Sequence, residues 1–220
     1  MEEKEQSLFT SEVIDFARVG VDFATLMEQN HNASYPDFID KMTKILPLLY
    51  IQTKLLPEYS YDSETDYAPV YVTEESYDNI RSSTEVLLGQ NDTFLTTQHE
   101  DMQYSDTPIG CSIAECLADI YQQVGDLLGT IREQDEMLLP SAIGRCLFYF
   151  HQYWGQRLTA ALGALHSLCC LQVFGDEEED CQENHIHEHE HGCHDDNCSC
   201  HHDNEHKDDC GCEDHCHCNC

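Results

Sequence analysis

Cysteine and histidine are concentrated near the C-terminal end of the chain. Residues 176–220, which we call the Cys/His segment, contain nine of the fourteen cysteines and ten of the fourteen histidines. Four C-x-C pairs lie in this segment, at 198/200, 210/212, 216/218 and 218/220, and four alternating histidines run from His185 to His191. Thiolate and imidazole are ligands that zinc, nickel and copper take in proteins. The segment therefore predicts binding of several transition-metal ions, with zinc and nickel expected first and copper also accommodated.

The predicted metal ligands share a thiol or an imidazole side chain. They are His185, His187, His189, His191, Cys193, His194, Cys198, Cys200, His201, His202, His206, Cys210, Cys212, His215, Cys216, His217, Cys218 and Cys220. The segment has no C-x2-C pair, the spacing with which zinc fingers and ribbons hold one ion on an ordered backbone. Thiolates two residues apart can close on one ion or bridge two, so we expect the segment to wrap around metal as it binds.

Acidic residues fill much of the rest of the Cys/His segment. Sixteen Asp and Glu residues stand against one basic residue, Lys207. Such a chain repels itself and buries little apolar surface, so we expect it to be disordered without metal. The alternative is a solvated acidic tail, but charge alone accounts for the carboxylates and not for nineteen Cys and His residues.

The N-terminal residues and the overall charge restrict the location and the partners. Residues 1–6 are charged and polar, and no apolar run behind them predicts a signal peptide or a membrane span. We therefore expect a cytoplasmic protein with reduced thiols and without structural disulfides. Residues 1–175 contain 27 acidic against 9 basic residues. The negative electrostatic potential of this excess of acidic residues argues against nucleic acids and anionic membranes as partners.

Residues 1–175 are long enough to form one domain with its own core, which we expect to fold without metal. Apolar residues recur there at spacings of three and four, which predicts an all-α bundle. The predicted helices cover residues 11–29, 34–56 with a bend or break near Pro47, 73–89, 112–131 and 141–171. No pair of strands joined by a short Asn-Gly or Asp-Gly turn is evident, so no sheet is predicted.

The predicted domain carries no recognised catalytic signature, so we do not expect an enzyme. Its densest titratable cluster outside the Cys/His segment, His99-Glu100-Asp101, is expected to be a solvated loop. His151 and His166 are fifteen residues apart on one predicted helix, too far along the axis to share one ion. The tyrosine-rich stretch from 59 to 72 is expected to pack on the flank of the domain, with a ligand platform as the alternative.

Five cysteines lie outside the Cys/His segment. Cys111, Cys116 and Cys146 are expected to be small buried side chains near helix starts. Cys169 and Cys170 follow each other near the end of the last predicted helix, so they could join the metal sites, while packing of one of them in the core is the simpler expectation.

Several short motifs resemble an uncharacterised family of mostly helical bacterial proteins, a domain of unknown function. The stretches that carry the resemblance are KILPLLY at 44–50, YSDTPI at 104–109, LADIY at 117–121, YWGQ at 153–156 and ALH at 164–166. The resemblance covers residues 8–170 and implies a helical fold with no assigned activity.

The Cys/His segment is similar in composition to the C-terminal tail of a bacterial prolyl isomerase that supplies nickel to hydrogenase assembly. His-rich stretches of other nickel chaperones are similar to it too, and metallothioneins share its repeated C-x-C pairs. These resemblances imply buffering, storage or delivery of nickel or zinc, with a metal-receiving apoprotein as a partner. The alternative is a helical adaptor that binds another protein and carries the segment as a metal-sensitive accessory.

Overall fold

The computed structural model describes the backbone of residues 8–182 and the side chains of residues 8–99 and 101–171. Six α-helices form most of this part: α1 Ser11–Glu28, α2 Tyr35–Leu55, α3 Glu74–Leu88, α4 Ile113–Glu133, α5 Leu139–Tyr149 and α6 Gly155–Gln182. A π-helix, Phe150–Trp154, joins α5 to α6 without a break. Three 3-10 helices are short: Asn30–Asn32, Gly89–Asp92 and Glu100–Tyr104. The predicted all-α bundle is confirmed, and the last predicted helix corresponds to α5, the π-helix and α6 together.

Local sequence signals place most of the helix ends. Ser34, Thr73 and Ser112 each accept a backbone N–H in the first turn of the helix that follows, as their hydroxyl side chains predict. Gly89 ends α3 with a φ of 54°, a conformation that costs glycine little. α6 extends to Gln182, eleven residues beyond the predicted end, and continues through Gly175 into the first residues of the Cys/His segment.

Of the bend or break predicted near Pro47, the break does not occur. α2 runs from Tyr35 to Leu55 as one helix with Pro47 inside it. Leu46 and Leu49, on either side of the proline, are fully buried, and α2 packs against both α1 and α6. Packing of the apolar face therefore outweighs the cost of one missing backbone hydrogen bond.

A small sheet was not predicted. β1 Thr93–Thr96 and β2 Ile109–Ser112 pair antiparallel, with Thr93 opposite Ser112 and Thr96 opposite Ile109. Twelve residues connect the two strands, so no short hairpin turn marks them in the sequence. β2 leads directly into α4, and the Asp92 carboxylate accepts the Ala114 backbone N–H at 2.7 Å. The sheet is thereby attached to the first turn of α4.

The core surrounds α4, which packs against α1, α3, α5 and α6. α1 turns the residues spaced three and four apart toward the core, since all five of them are buried: Val13, Phe16, Gly20, Phe23 and Met27. Trp154 is the largest fully buried side chain, and its Nε1 donates to the Cys146 carbonyl oxygen at 3.0 Å. The π-helix therefore places an indole in the centre of the bundle with its polar atom satisfied.

Candidate functional site

The eighteen predicted metal ligands, from His185 to Cys220, lie outside the described residues. Within the part of the chain whose side chains are described, no three or more His, Cys, Asp or Glu residues are grouped so that they could hold a metal ion. His99 caps the 3-10 helix by accepting the Asp101 backbone N–H on Nδ1 at 3.2 Å. His151 and His166 are both exposed.

A polar cluster connects α3, α4 and the start of α6. Arg157 Nε lies 3.0 Å from Asp119 Oδ2, and an Arg157 terminal nitrogen lies 4.0 Å from Glu115 Oε1. The Tyr77 hydroxyl donates to Asp119 Oδ1 at 2.8 Å. Both oxygens of the Asp119 carboxylate therefore have partners, which is what a largely buried charge requires.

The π-helix contributes a second hydrogen bond to the same region. Gln123 Nε2 donates to the Tyr153 hydroxyl oxygen at 2.7 Å. Next to it is a cavity of about 40 Å³, lined in part by Cys111, Cys116 and His99. Ligand pockets for organic molecules usually enclose roughly 300 Å³ or more, whereas one or two waters fit the smaller volume. The cavity is therefore the size of a water site and not of a substrate site.

Burial dominates the electrostatics of this cluster. It raises the pKa of Asp119, against the opposing effects of Arg157 and of the Tyr77 hydrogen bond. It raises the pKa of the Cys116 thiol to about 12 and that of Tyr153 to about 12 as well. The Cys116 thiol and the Tyr153 hydroxyl therefore stay protonated at neutral pH, so Cys116 is not a thiolate nucleophile. The cluster is a network of ion pairs and hydrogen bonds that joins α3, α4, the π-helix and α6.

A second buried pair attaches the segment between α2 and α3 to α4. The Asp126 Oδ1 atom accepts the backbone N–H groups of Tyr71 and Val72 at 2.7 and 2.9 Å. Arg145 lies 3.2 Å from Asp126 Oδ2 and donates to the Pro69 carbonyl oxygen at 3.2 Å. The tyrosine-rich stretch predicted as a flank of the domain is therefore held by a buried charge pair.

Two glycines of α4 make room for that stretch. A Cβ added at Gly125 would lie 2.6 Å from Val72 Cγ2, and one at Gly129 would overlap the Tyr71 ring. Tyr59, Tyr61 and Tyr71 are half-buried, while Tyr67 is exposed. The expected packing against the domain holds for three of the four tyrosines.

Both Asp–Arg pairs were missed in the sequence because each breaks an otherwise apolar face and joins residues far apart in the chain. Asp119 pairs with Arg157, and Asp126 pairs with Arg145. The later residue on α4 therefore pairs with the earlier arginine. That is the pattern of antiparallel helices. One signal in the sequence could have indicated the two pairs. It is the presence of two acidic residues seven apart on one amphipathic helix and of two arginines twelve apart on another.

The cysteines of the domain largely follow expectation. Cys116 and Cys146 are buried, whereas Cys111 is only half-buried, and burial raises the pKa of the Cys146 thiol to about 12. Cys169 packs against the core, and Cys170, half-buried, lies with its Sγ 3.7 Å from His166 Nε2. The vicinal cysteines therefore differ in environment.

A wider groove lies between α1 and α4, with a volume of about 440 Å³. Its walls include Ala17, Val21 and Leu128, and Tyr71 and Tyr121 also line it. The Tyr121 hydroxyl donates to Glu28 Oε1 at 2.8 Å. The groove falls within the size range of small-molecule and short-peptide sites.

The protein is a helical-bundle domain that contains two internal Asp–Arg pairs. The chain belongs to the family described as a domain of unknown function (DUF5063), which matches residues 7–170. Its fold is similar to the crystal structure of protein BF1032 from Bacteroides fragilis, with a TM-score of 0.63 and 29% identity over 74% of this chain and 95% of that chain. No curated protein matches the chain. The family match ends before the Cys/His segment.

The raised pKa of the buried carboxyl groups predicts how stability depends on pH. Burial raises the pKa of Asp119 and of Asp126, so the folded protein binds these protons more readily than the unfolded chain. The free energy of unfolding should therefore rise as the pH is lowered from neutral, and the gain is complete only below the unfolded pKa of about 3.9. Urea unfolding followed by circular dichroism in the presence of a chelator measures it.

Asp119→Asn supplies the control, because the amide oxygen can still accept the Tyr77 hydroxyl while the titrating group is gone. The variant should show a shallower increase in stability between pH 7 and pH 5. Equal pH slopes in the variant and the parent would contradict the role assigned to Asp119.

Proposed function

We propose that this protein binds several transition-metal ions through its Cys/His segment and serves in buffering, storage or delivery of zinc or nickel. The observation that carries the proposal is the presence of nineteen Cys and His residues among residues 176–220. Imidazole and thiolate together suit zinc, nickel and copper, whereas carboxylates alone would favour harder ions. The partners of this function are the metal ions and an apoprotein that receives them.

The buried cysteines of the folded domain are poor metal ligands, so they do not compete with the Cys/His segment for metal. Metal binding needs deprotonated thiols, and the buried thiols of Cys116 and Cys146 have a pKa of about 12. The formal net charge of −33 adds a negative potential that attracts cations to the whole chain. The same charge opposes binding to nucleic acids and to anionic membranes.

A cytoplasmic location fits this function because a reducing compartment keeps the segment's thiols free to bind metal. Among residues 8–182, no helix combines the length and the apolar character that a membrane crossing requires. Location in the cytoplasm remains part of the proposal.

The number of bound ions tests the function. Nineteen donors at four per tetrahedral ion allow about four to five ions for each chain. Reduced, untagged, full-length protein should therefore take up several zinc or nickel ions in a titration followed by native mass spectrometry. Uptake of one ion or none at micromolar metal would contradict storage and delivery.

The second candidate is an adaptor, and the groove between α1 and α4 is the observation that favours it. A groove of about 440 Å³ with the apolar side chains of Val21 and Leu128 suits an apolar peptide side chain. Deleting residues 176–220 separates the two functions in cells. Loss of metal handling supports the metal-binding function, and an intact cellular role supports the adaptor.

A further inference from the structure

A groove with a volume of about 420 Å³ lies between β1 and α6. Every residue from Thr93 to Gln98 lines one side of it, whereas no residue of β2 does. Successive side chains of a strand point to opposite faces of the sheet, so a groove over one face would be lined by alternate residues. The groove therefore runs along the edge of β1 that faces away from β2.

That edge of β1 is free to pair with another strand. Within residues 8–182, the sheet consists of β1 and β2 alone, so the backbone N–H and C=O groups on the outer edge of β1 have no strand partner there. Charged side chains and proline are the usual means by which proteins keep such an edge from pairing with another chain. The stretch from Thr93 to Gln98 contains neither, and Leu95 is 73% exposed. The edge is therefore suited to strand addition.

α6 forms the opposite wall of the groove. Thr159, Ala160, Gly163 and Ser167 line it at spacings that place them on one side of the helix. The Thr159 hydroxyl donates to the Gln98 side-chain oxygen at 3.2 Å, which joins the two walls at one end. A Cβ built at Gly163 has no atom within 4 Å. The space between the strand edge and the helix is therefore open beside Gly163.

We propose that this groove binds an extended peptide segment of a partner protein, which pairs with β1 as a third strand. The backbone groups of the β1 edge select an extended chain, because only an extended chain presents its own N–H and C=O groups at the matching spacing. None of the described residues that line the groove carries a charge. The formal net charge of −33 repels acidic segments, so the bound segment is uncharged or basic.

This inference does not rest on the metal-binding function. Among the described residues that line the groove there is no Cys or His. Loss of metal uptake would leave the peptide site unaffected, and loss of peptide binding would leave metal uptake unaffected.

Selection of random octapeptides displayed on phage, with the reduced full-length protein as the immobilised target, tests the site. Synthetic copies of the selected peptides are then titrated by fluorescence anisotropy. Gly163→Trp fills the open space beside α6 and should weaken their binding at least about tenfold. His166→Trp is the matched control, since His166 is exposed on the same helix and does not line the groove. It should leave the affinity unchanged.

Amide hydrogen exchange gives a readout that is specific for strand addition. The bound peptide should slow exchange in the fragment that covers residues 93–98, because the edge amides of β1 acquire hydrogen-bond acceptors. Binding to α6 without strand pairing would leave that fragment unchanged.

Three results would overturn the proposal. The first is a selection that yields no binding peptide, or only peptides that bind the parent and Gly163→Trp equally well. The second is peptide binding without slower exchange at residues 93–98. The third is a dimer that light scattering detects in the parent and not in Gly163→Trp, because a second copy of the chain would then occupy the groove.

Discussion

Replacing the C-x-C cysteines with serine should abolish the tightest zinc sites of the protein. The variant carries serine at Cys198, Cys200, Cys210, Cys212, Cys216, Cys218 and Cys220. A serine hydroxyl is not deprotonated at neutral pH and does not replace a thiolate as a zinc ligand, so the charge and the bond to sulfur are lost together. Competition with a chelating zinc indicator measures the loss as a fall in the number of high-affinity ions per chain.

The histidines provide the internal comparison. The run from His185 to His191 is intact in the serine variant and should retain weaker nickel binding. Binding should also weaken as the pH falls from about 7.5 to 5.5, because imidazole with an unperturbed pKa of about 6.5 must lose its proton to bind metal. A serine variant that binds zinc as tightly as the parent would show that the C-x-C pairs are not the primary ligands.

Asp126→Ala should destabilise the folded domain by about 3–5 kcal/mol, the usual cost of removing one partner of a buried ion pair. The side chains of Asp126 and Arg145 are only 4% and 15% exposed, so solvent screens their interaction little. The variant also leaves the backbone N–H groups of Tyr71 and Val72 without their acceptor. Urea unfolding at pH 7 measures the difference.

Two control variants distinguish the contributions of this site. Asp126→Asn keeps an oxygen for both backbone N–H groups, so it should cost less than the alanine. Asp40→Ala removes an exposed pair with Lys44, whose side chains are 55% and 69% exposed, and should cost at most about 1 kcal/mol. If Asp126→Ala costs no more than Asp40→Ala, the buried pair does not stabilise the attachment between the α2–α3 segment and α4.

The helices could be predicted from sequence because their determinants are local. The five buried residues of α1 follow from spacings of three and four, and the capping hydroxyls of Thr73 and Ser112 act within one turn. The same local signals allowed a break at Pro47, but α2 continues through the proline and packs against α1 and α6.

The missed features all depend on partners distant in the chain. Thr93 meets Ser112 across a twelve-residue connection, and Asp119 meets Arg157 on another helix. The π-helix that buries Trp154 has no signal in the local pattern. Composition predicts the ligand types of the Cys/His segment, whereas the contact between His166 and Cys170 follows from the geometry of α6.

The two internal Asp–Arg pairs also determine how the helices are aligned along their axes. Apolar stripes alone accept more than one alignment, since a shift by one turn, about 5.4 Å, brings similar side chains back into contact. Such a shift of α4 against α5 and α6 would separate Asp119 from Arg157 and Asp126 from Arg145 at the same time. The buried Asp126 and the partly buried Asp119, Arg145 and Arg157 would then lose their partners, which is costly for charges with little access to water. We therefore expect the two pairs to favour the observed alignment of the helices over alignments shifted by one turn.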